Sequence, residues 1–103
     1  MTIFSKIISG EIPSKFLYED KKCVVINDLY PKADVHFLVI PKKEIPIIFE
    51  MSESDKELIW HLHFVWAKVA KEKGLEGCKM SFNVWEKWGQ EIFHVHLHVL
   101  GNL

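Results

Sequence analysis

The sequence predicts an α+β domain: an antiparallel sheet of about five strands, one long helix across its apolar face and a short helix at the start. Three observations carry that class. Residues 93–100 alternate apolar and polar without a break, the period of a strand with one buried face. Residues 52–73 repeat apolar positions at helical spacing between capping serines and Gly74. The remaining short apolar runs are joined by turn residues rather than by helices, which favours antiparallel pairing in a single unit spanning residues 1–103.

Each element has its own warrant. Thr2 caps a first helix with Ile3, Phe4, Ile7 and Ile8 on one face and Gly10 as its stop. Residues 16–19 and 23–27 read as a hairpin turning at Asp20, Lys21 and Lys22. A proline-punctuated loop covers 28–34, and a third strand, 36–40, ends at Pro41. Its near-continuous apolar character suits a central position. Pro46 limits residues 44–49 to a helical turn at most. The long helix opens on two overlapping capping boxes, Ser52 with Asp55 and Ser54 with Glu57. Leu58, Leu62, Val65 and Val69 form its stripe, widened by Ile59, Trp60, Phe64, Trp66, Ala67 and Ala70. That arc exceeds one buried face, and a second copy of the chain is the economical cover. Residues 79–84 form a fourth strand, 85–90 a loop, and the alternating stretch closes the sheet.

Composition excludes several classes. The net charge is −1, and no basic stripe interleaves with aromatics, so nucleic acid is not an expected partner. No apolar run reaches the ~20 residues of a membrane helix, and no secretory leader pattern is present. Cys23 and Cys78 stand alone, without a C-x-x-C pair; both are expected to be free, mostly buried thiols of a reducing, cytoplasmic compartment.

Six of 103 residues are histidine. His94, His96 and His98 lie in one row of the last strand, opposite Phe93, Val95, Leu97 and Val99. Three readings compete. The row is a polar outer face; or it is a metal site, though residues four apart on a strand lie about 13 Å apart and no carboxylate or cysteine is near in sequence; or it is nucleophilic, since neutral imidazole is available near pH 7 and several donors suit phosphoryl oxygens.

Residues 94–100 also match the histidine triad signature, His-φ-His-φ-His-φ-φ with φ apolar. Together with residues 3–8, 11–13, 18–20, 36–42 and Gly89-Gln90, the chain resembles the Hint branch of that family over nearly its whole length. The resemblance implies a homodimer with a continuous sheet and hydrolysis of the P–N bond of adenosine 5′-monophosphoramidate and related AMP or GMP amides, with no cofactor and no metal. It implies that His96 attacks phosphorus, that His98 donates to the phosphate and leaving group, and that His94 and His36 hold the hydrogen-bond network. It places Ile3, Phe4, Ile7, Ile26 and Leu38 around the purine and Asp28 on the ribose hydroxyls, with Leu29 beside it. Asn83 and the Gly89-Gln90-Glu91 backbone would meet the phosphate. Members of other triad branches cleave dinucleoside polyphosphates, and a nucleotide-binding regulatory module is the reading from a different class.

The sequence departs from these relatives at three points. Trp85 and Trp88 stand in a loop that is often Gly- and Ser-rich, and fit a pocket wall, a partner contact or packing on the sheet. Glu91 stands where many have Ser or Thr, which would favour a cationic amine. Gly101-Asn102-Leu103 stands where Gly-Gly-Arg and a tail are usual.

Overall fold

The computed structural model describes residues 1–103. Helix α1 (Ile3–Ser9) begins where the Thr2 hydroxyl accepts the Ser5 N–H at 3.2 Å. It ends at Gly10, whose φ of +86° only glycine adopts without strain. Strands β1 (Tyr18–Glu19) and β2 (Cys23–Asn27) form the expected hairpin. Strand β3 is Val35–Pro41, helix α2 Lys56–Glu72, strand β4 Lys79–Phe82 and strand β5 Leu97–Gly101. All pairings are antiparallel in the order β1-β2-β3-β5-β4. β3 is central, and β4 is an edge.

Both faces of the sheet are covered. On one, Leu62, Val65, Val69 and Ala70 of α2 pack on Cys23, Val25, Phe37, Val39, Leu97 and Val99. On the other, Phe4 and Ile7 of α1 pack on Val24, Ile26, Leu38 and Ile40. β2 and β3 are therefore apolar on both sides, which is why they read as unbroken hydrophobic runs. α2 still leaves Trp60 and Phe64 71% and 67% exposed. Its entry uses one of the two expected capping boxes: Asp55 accepts the Ser52 N–H at 2.9 Å, while the Ser54 hydroxyl meets that of Ser52 instead. No helix is long and apolar enough to cross a membrane.

The histidine stretch corrects the expectation of one continuous strand. β5 starts only at Leu97, opposite Val39. Continuing that register would set Val95 against Pro41, which has no N–H to donate. The ladder stops there. The Val95 N–H goes to the Ile45 carbonyl at 2.7 Å. Phe93, expected in the core, is half-exposed against Trp85. Cys78, expected buried, is exposed just before β4; Cys23 is buried, and both thiols are free.

Asp20 ties the hairpin turn to α2. Its Oδ1 accepts the N–H groups of Lys22 and Cys23, at 2.7 and 2.9 Å. Its Oδ2 accepts the Tyr18 hydroxyl and pairs with His61 Nε2. Burial alone would raise the Asp20 pKa, but these bonds outweigh it and hold the carboxyl well below its usual range. The contribution is complete above the unfolded value near pH 4 and fades as pH falls below it. Asp20→Ala is expected to lose about 1–3 kcal/mol in urea unfolding at pH 7, with the gap to wild type narrowing below about pH 4. An equal gap at pH 3 and pH 7 would show that the charge contributes nothing.

Candidate active site

Three backbone groups position imidazoles, two of them carbonyls left free by the broken ladder. Pro41 keeps a free carbonyl, and His94 Nε2 donates to it at 2.7 Å. His94 Nδ1 is thus the acceptor and faces the Thr2 hydroxyl at 3.4 Å. The His94 carbonyl, no longer in a ladder, accepts from His96 Nδ1 at 2.8 Å. His96 therefore carries its proton on Nδ1 and its lone pair on Nε2. In the third case the Lys32 N–H donates to His36 Nδ1 at 3.2 Å, so His36 holds its proton on Nε2. That proton goes to His98 Nδ1 at 3.1 Å, with Asp28 Oδ2 3.4 Å away. His98 is left with Nε2–H to donate. Backbone groups, whose roles are not adjustable, set the tautomer of each ring directly or through its neighbour.

His94 is fully buried and His36 nearly so, while His96 and His98 face a cleft of about 660 Å³. Their rings lie 4.9 Å apart, and Phe4 sits edge-on to His96 at 4.9 Å. Burial, and then His94, pull the His96 pKa below the ordinary imidazole value, against the bond to the His94 carbonyl and the carboxylates Asp28 and Glu91. Burial, followed by His96 and His36, pushes His98 down to about 4. Both rings are neutral at pH 7.

Ile3, Phe4, Ile7, Ile26, Leu38, Asp28, Leu29, Asn83, Gly89 and Glu91 all line this cleft. Phe4, Ile7, Ile26 and Leu38 do so with only their edges, each less than a tenth exposed. Gln90 does not: its side chain is buried, accepting the Trp85 N–H at 2.9 Å and donating to the carbonyls of Pro46 and Ile92. That brace holds Trp85 at a φ of +75°, a conformation costing a bulky residue on the order of 1–3 kcal/mol. Gly89, at φ +93°, lets the chain turn back beside the Asn83 amide.

Several contributors have weak sequence signals. Lys32 lines the cleft and its N–H orients His36; only its place four residues before that histidine hints at this. Thr2, readable as a cap, also meets His94. Ile12, Pro13 and Tyr30 complete the wall.

A metal set needed a carboxylate near the histidines, and folding brings one. Asp28, His36 and His98 offer ligand atoms within 4.8 Å of one another. The donor pattern works against the ion, because His36 can ligate through Nε2 only by protonating Nδ1, which would then oppose the Lys32 N–H. A second group, Asp20, Cys23 and His61, contains a thiol pushed up to about 12, by burial first and then by Asp20. A thiol ligates as thiolate, and without an ion this one is held protonated by its surroundings.

The chain is similar to known proteins in sequence and in fold. Residues 1–102 match the family model described as scavenger mRNA decapping enzyme C-terminal binding. An uncharacterized HIT-like protein of Synechococcus elongatus is 41% identical over 97% of this chain and 89% of its own. The chain belongs to the histidine triad family. Among solved structures, the HIT family hydrolase of Legionella pneumophila superposes with a TM-score of 0.95 at 40% identity, covering 98% of this chain and 92% of that one. The HIT family hydrolase of Clostridium thermocellum gives 0.95 at 38% identity, covering 99% and 90%. In this HIT protein the triad is one strand residue, His98, and two residues of the irregular approach to it.

The tautomers are directly checkable. Nitrogen-detected NMR of histidine-labelled protein at pH 7 is expected to show Nδ1–H on His96 and Nε2–H on His98. Titration is expected to protonate His98 near pH 4; a midpoint at the free-imidazole value of about 6.5 would contradict its burial.

Proposed function

We propose that this HIT protein is a purine nucleoside phosphoramidase, hydrolysing the P–N bond of adenosine 5′-monophosphoramidate and related AMP or GMP amides. One observation carries the reading: the His94 carbonyl holds the Nδ1 proton of His96, so the Nε2 lone pair faces the cleft beside the Nε2–H of His98. The apolar edges of Phe4, Ile7, Ile26 and Leu38 would take the purine, and Asp28 the ribose hydroxyls. Gly89, Glu91 and Asn83 border the phosphoryl position.

On binding, the anionic phosphoryl group favours uptake of a solvent proton at His98 Nδ1, and the His36 Nε2 proton turns to Asp28 Oδ2, 3.4 Å away, so that His98 is an imidazolium with Nε2–H to give. His96 Nε2 attacks phosphorus, forming a P–N bond to the ring. The bond to the amine nitrogen breaks, and His98 gives it the Nε2 proton, so a neutral amine leaves rather than an amide ion. Water then attacks phosphorus, His98 takes its proton, and the bond to His96 breaks. Nucleoside monophosphate departs, and both rings return to their starting states. The positioned acid is worth typically about 10²–10⁴ in rate.

The description of the matching family model favours a second reading, cleavage of a P–O bond in a dinucleoside polyphosphate. A phosphate leaves without a proton, so dependence on His98 separates the two. In steady-state assays of adenosine 5′-phosphoramidate, His96→Ala is expected to abolish turnover and His98→Ala to lower it by about 10²–10⁴, with wild type indifferent to EDTA. Loss of wild-type activity in EDTA would restore the metal reading. A dinucleoside polyphosphate cleaved faster than the amide, and insensitive to His98→Ala, would establish the second.

A homodimer belongs to the same proposal. The exposed Trp60 and Phe64 lie on the α2 face that meets edge strand β4 through His63 and Phe82. Two copies joined at β4 would cover that face and continue the sheet. Light scattering is expected to give a dimer for wild type and a monomer for Phe64→Glu; a monomeric wild type ends the proposal.

A further inference from the structure

Besides its imidazoles, the cleft is lined by three charged side chains: the carboxylates of Asp28 and Glu91 and the ammonium of Lys32. With His96 and His98 neutral, Lys32 is the one cation on that wall. Two carboxylates without it would repel a phosphoryl anion.

The lysine is anchored, and its charge is left free. Its own N–H is fixed on His36 Nδ1 at 3.2 Å. The loop around it is tied at both ends. The Asp28 N–H meets the His36 carbonyl at 2.9 Å, and the Asp34 N–H meets the Asn102 side-chain oxygen at 2.9 Å. The side chain therefore starts from a fixed point beside His36 and lines the cleft with His98. Lys32 takes part in none of the ion pairs of the fold. Asp28, four residues before it, is already engaged: Oδ1 accepts the Tyr30 N–H at 2.8 Å, and Oδ2 faces His36. The charge is nevertheless felt at the acid. Burial, His96 and His36 lower the His98 pKa most, and Lys32 adds to them against Asp28. An exposed lysine is ordinarily a solvated one. This one stands unpaired on a cleft wall, on a pinned backbone, within reach of the proton donor.

We propose that the Lys32 ammonium contacts the phosphoryl group of the bound nucleotide and sets the preference of the cleft for a nucleoside monophosphate or its amide over an uncharged nucleoside. Lysine suits the task as a point charge on a flexible stem, able to follow the phosphoryl oxygens as the reaction moves them. The proposal rests on the phosphoramidase reading only in placing a nucleotide's phosphoryl group in this cleft, and it names the side chain that answers its charge.

Calorimetry at pH 7 with AMP and with adenosine tests the contact without any P–N bond. Lys32→Met keeps the backbone N–H on His36 and removes the charge. It is expected to weaken AMP binding about tenfold and to leave adenosine unchanged. Lys32→Arg, still charged, is expected to stay within about threefold of wild type for both. Unchanged AMP affinity in Lys32→Met overturns the proposal. So does an equal loss for adenosine, the mark of a disturbed wall, and so does a wild type that binds AMP no more tightly than adenosine. In turnover of adenosine 5′-phosphoramidate, kcat/KM of Lys32→Met is expected to fall by about the same factor, and an unchanged value overturns the contact. A protein that hydrolyses no amide but shows the AMP-selective loss keeps the Lys32 contact and loses the phosphoramidase reading.

Discussion

Pro41 lacks an N–H, and much of the site depends on that. With a donor at this position, β3 and the last strand could pair two residues further, through Val95, and His96 would stand in an ordinary ladder with His94 at its end. Instead the Pro41 carbonyl is taken by the His94 ring, and the His94 carbonyl by the His96 ring. Hydrogen bonds that would otherwise be spent on sheet structure set the protonation pattern of two imidazoles. The arrangement loses no satisfaction: every buried side-chain nitrogen and oxygen has a partner.

The second consequence of the fold is economy of surface. Phe4, Ile7, Ile26 and Leu38 belong to the smaller of two cores and present their edges to the cleft. In a chain of 103 residues the apolar material for a separate pocket is scarce. A wall that is also a core is rigid, because moving it disturbs packing at near-crystalline density. The same double use explains the Trp85 loop. Its strained backbone persists because Gln90, itself buried, satisfies groups on both sides of it.

Electrostatics follow from depth. The inner imidazoles, His36 and His94, are fixed by backbone partners, and the outer pair is kept neutral by burial first, then by His94 beside His96 and by His96 and His36 beside His98. Neutrality is the useful state for a nucleophile, and an anion at the cleft opposes the same forces for the neighbouring ring. Asp28, beside His36 and His98, is the nearest counterweight.

Much of this was legible in the residues. Periodicity and caps located α1, the β1–β2 hairpin, β3 and α2, because those segments obey local rules: Thr2 caps, Gly10 and Gly74 stop, and Pro41 ends a strand. Residue spacing singled out His94, His96 and His98. The resemblance named His36, Asp28 and the apolar walls; folding brings Asp28 and the walls into one cleft, with His36 buried behind His98 and Gln90 turned inward. Local pattern does not show where a partner strand runs out of donors. The alternation at 93–100 therefore promised a full strand, and put Phe93 in a core that it does not reach. Nor does it foretell contacts between distant segments: Lys32 with His36, Thr2 with His94, Gln90 with Pro46, or Asp20 with His61. The sequence alone determined which chemical groups are present and which short segments are helix or strand, since those depend on neighbours a few bonds away. The tertiary structure decided which nitrogen of each histidine holds its proton, because that depends on a carbonyl or N–H brought in from elsewhere in the chain.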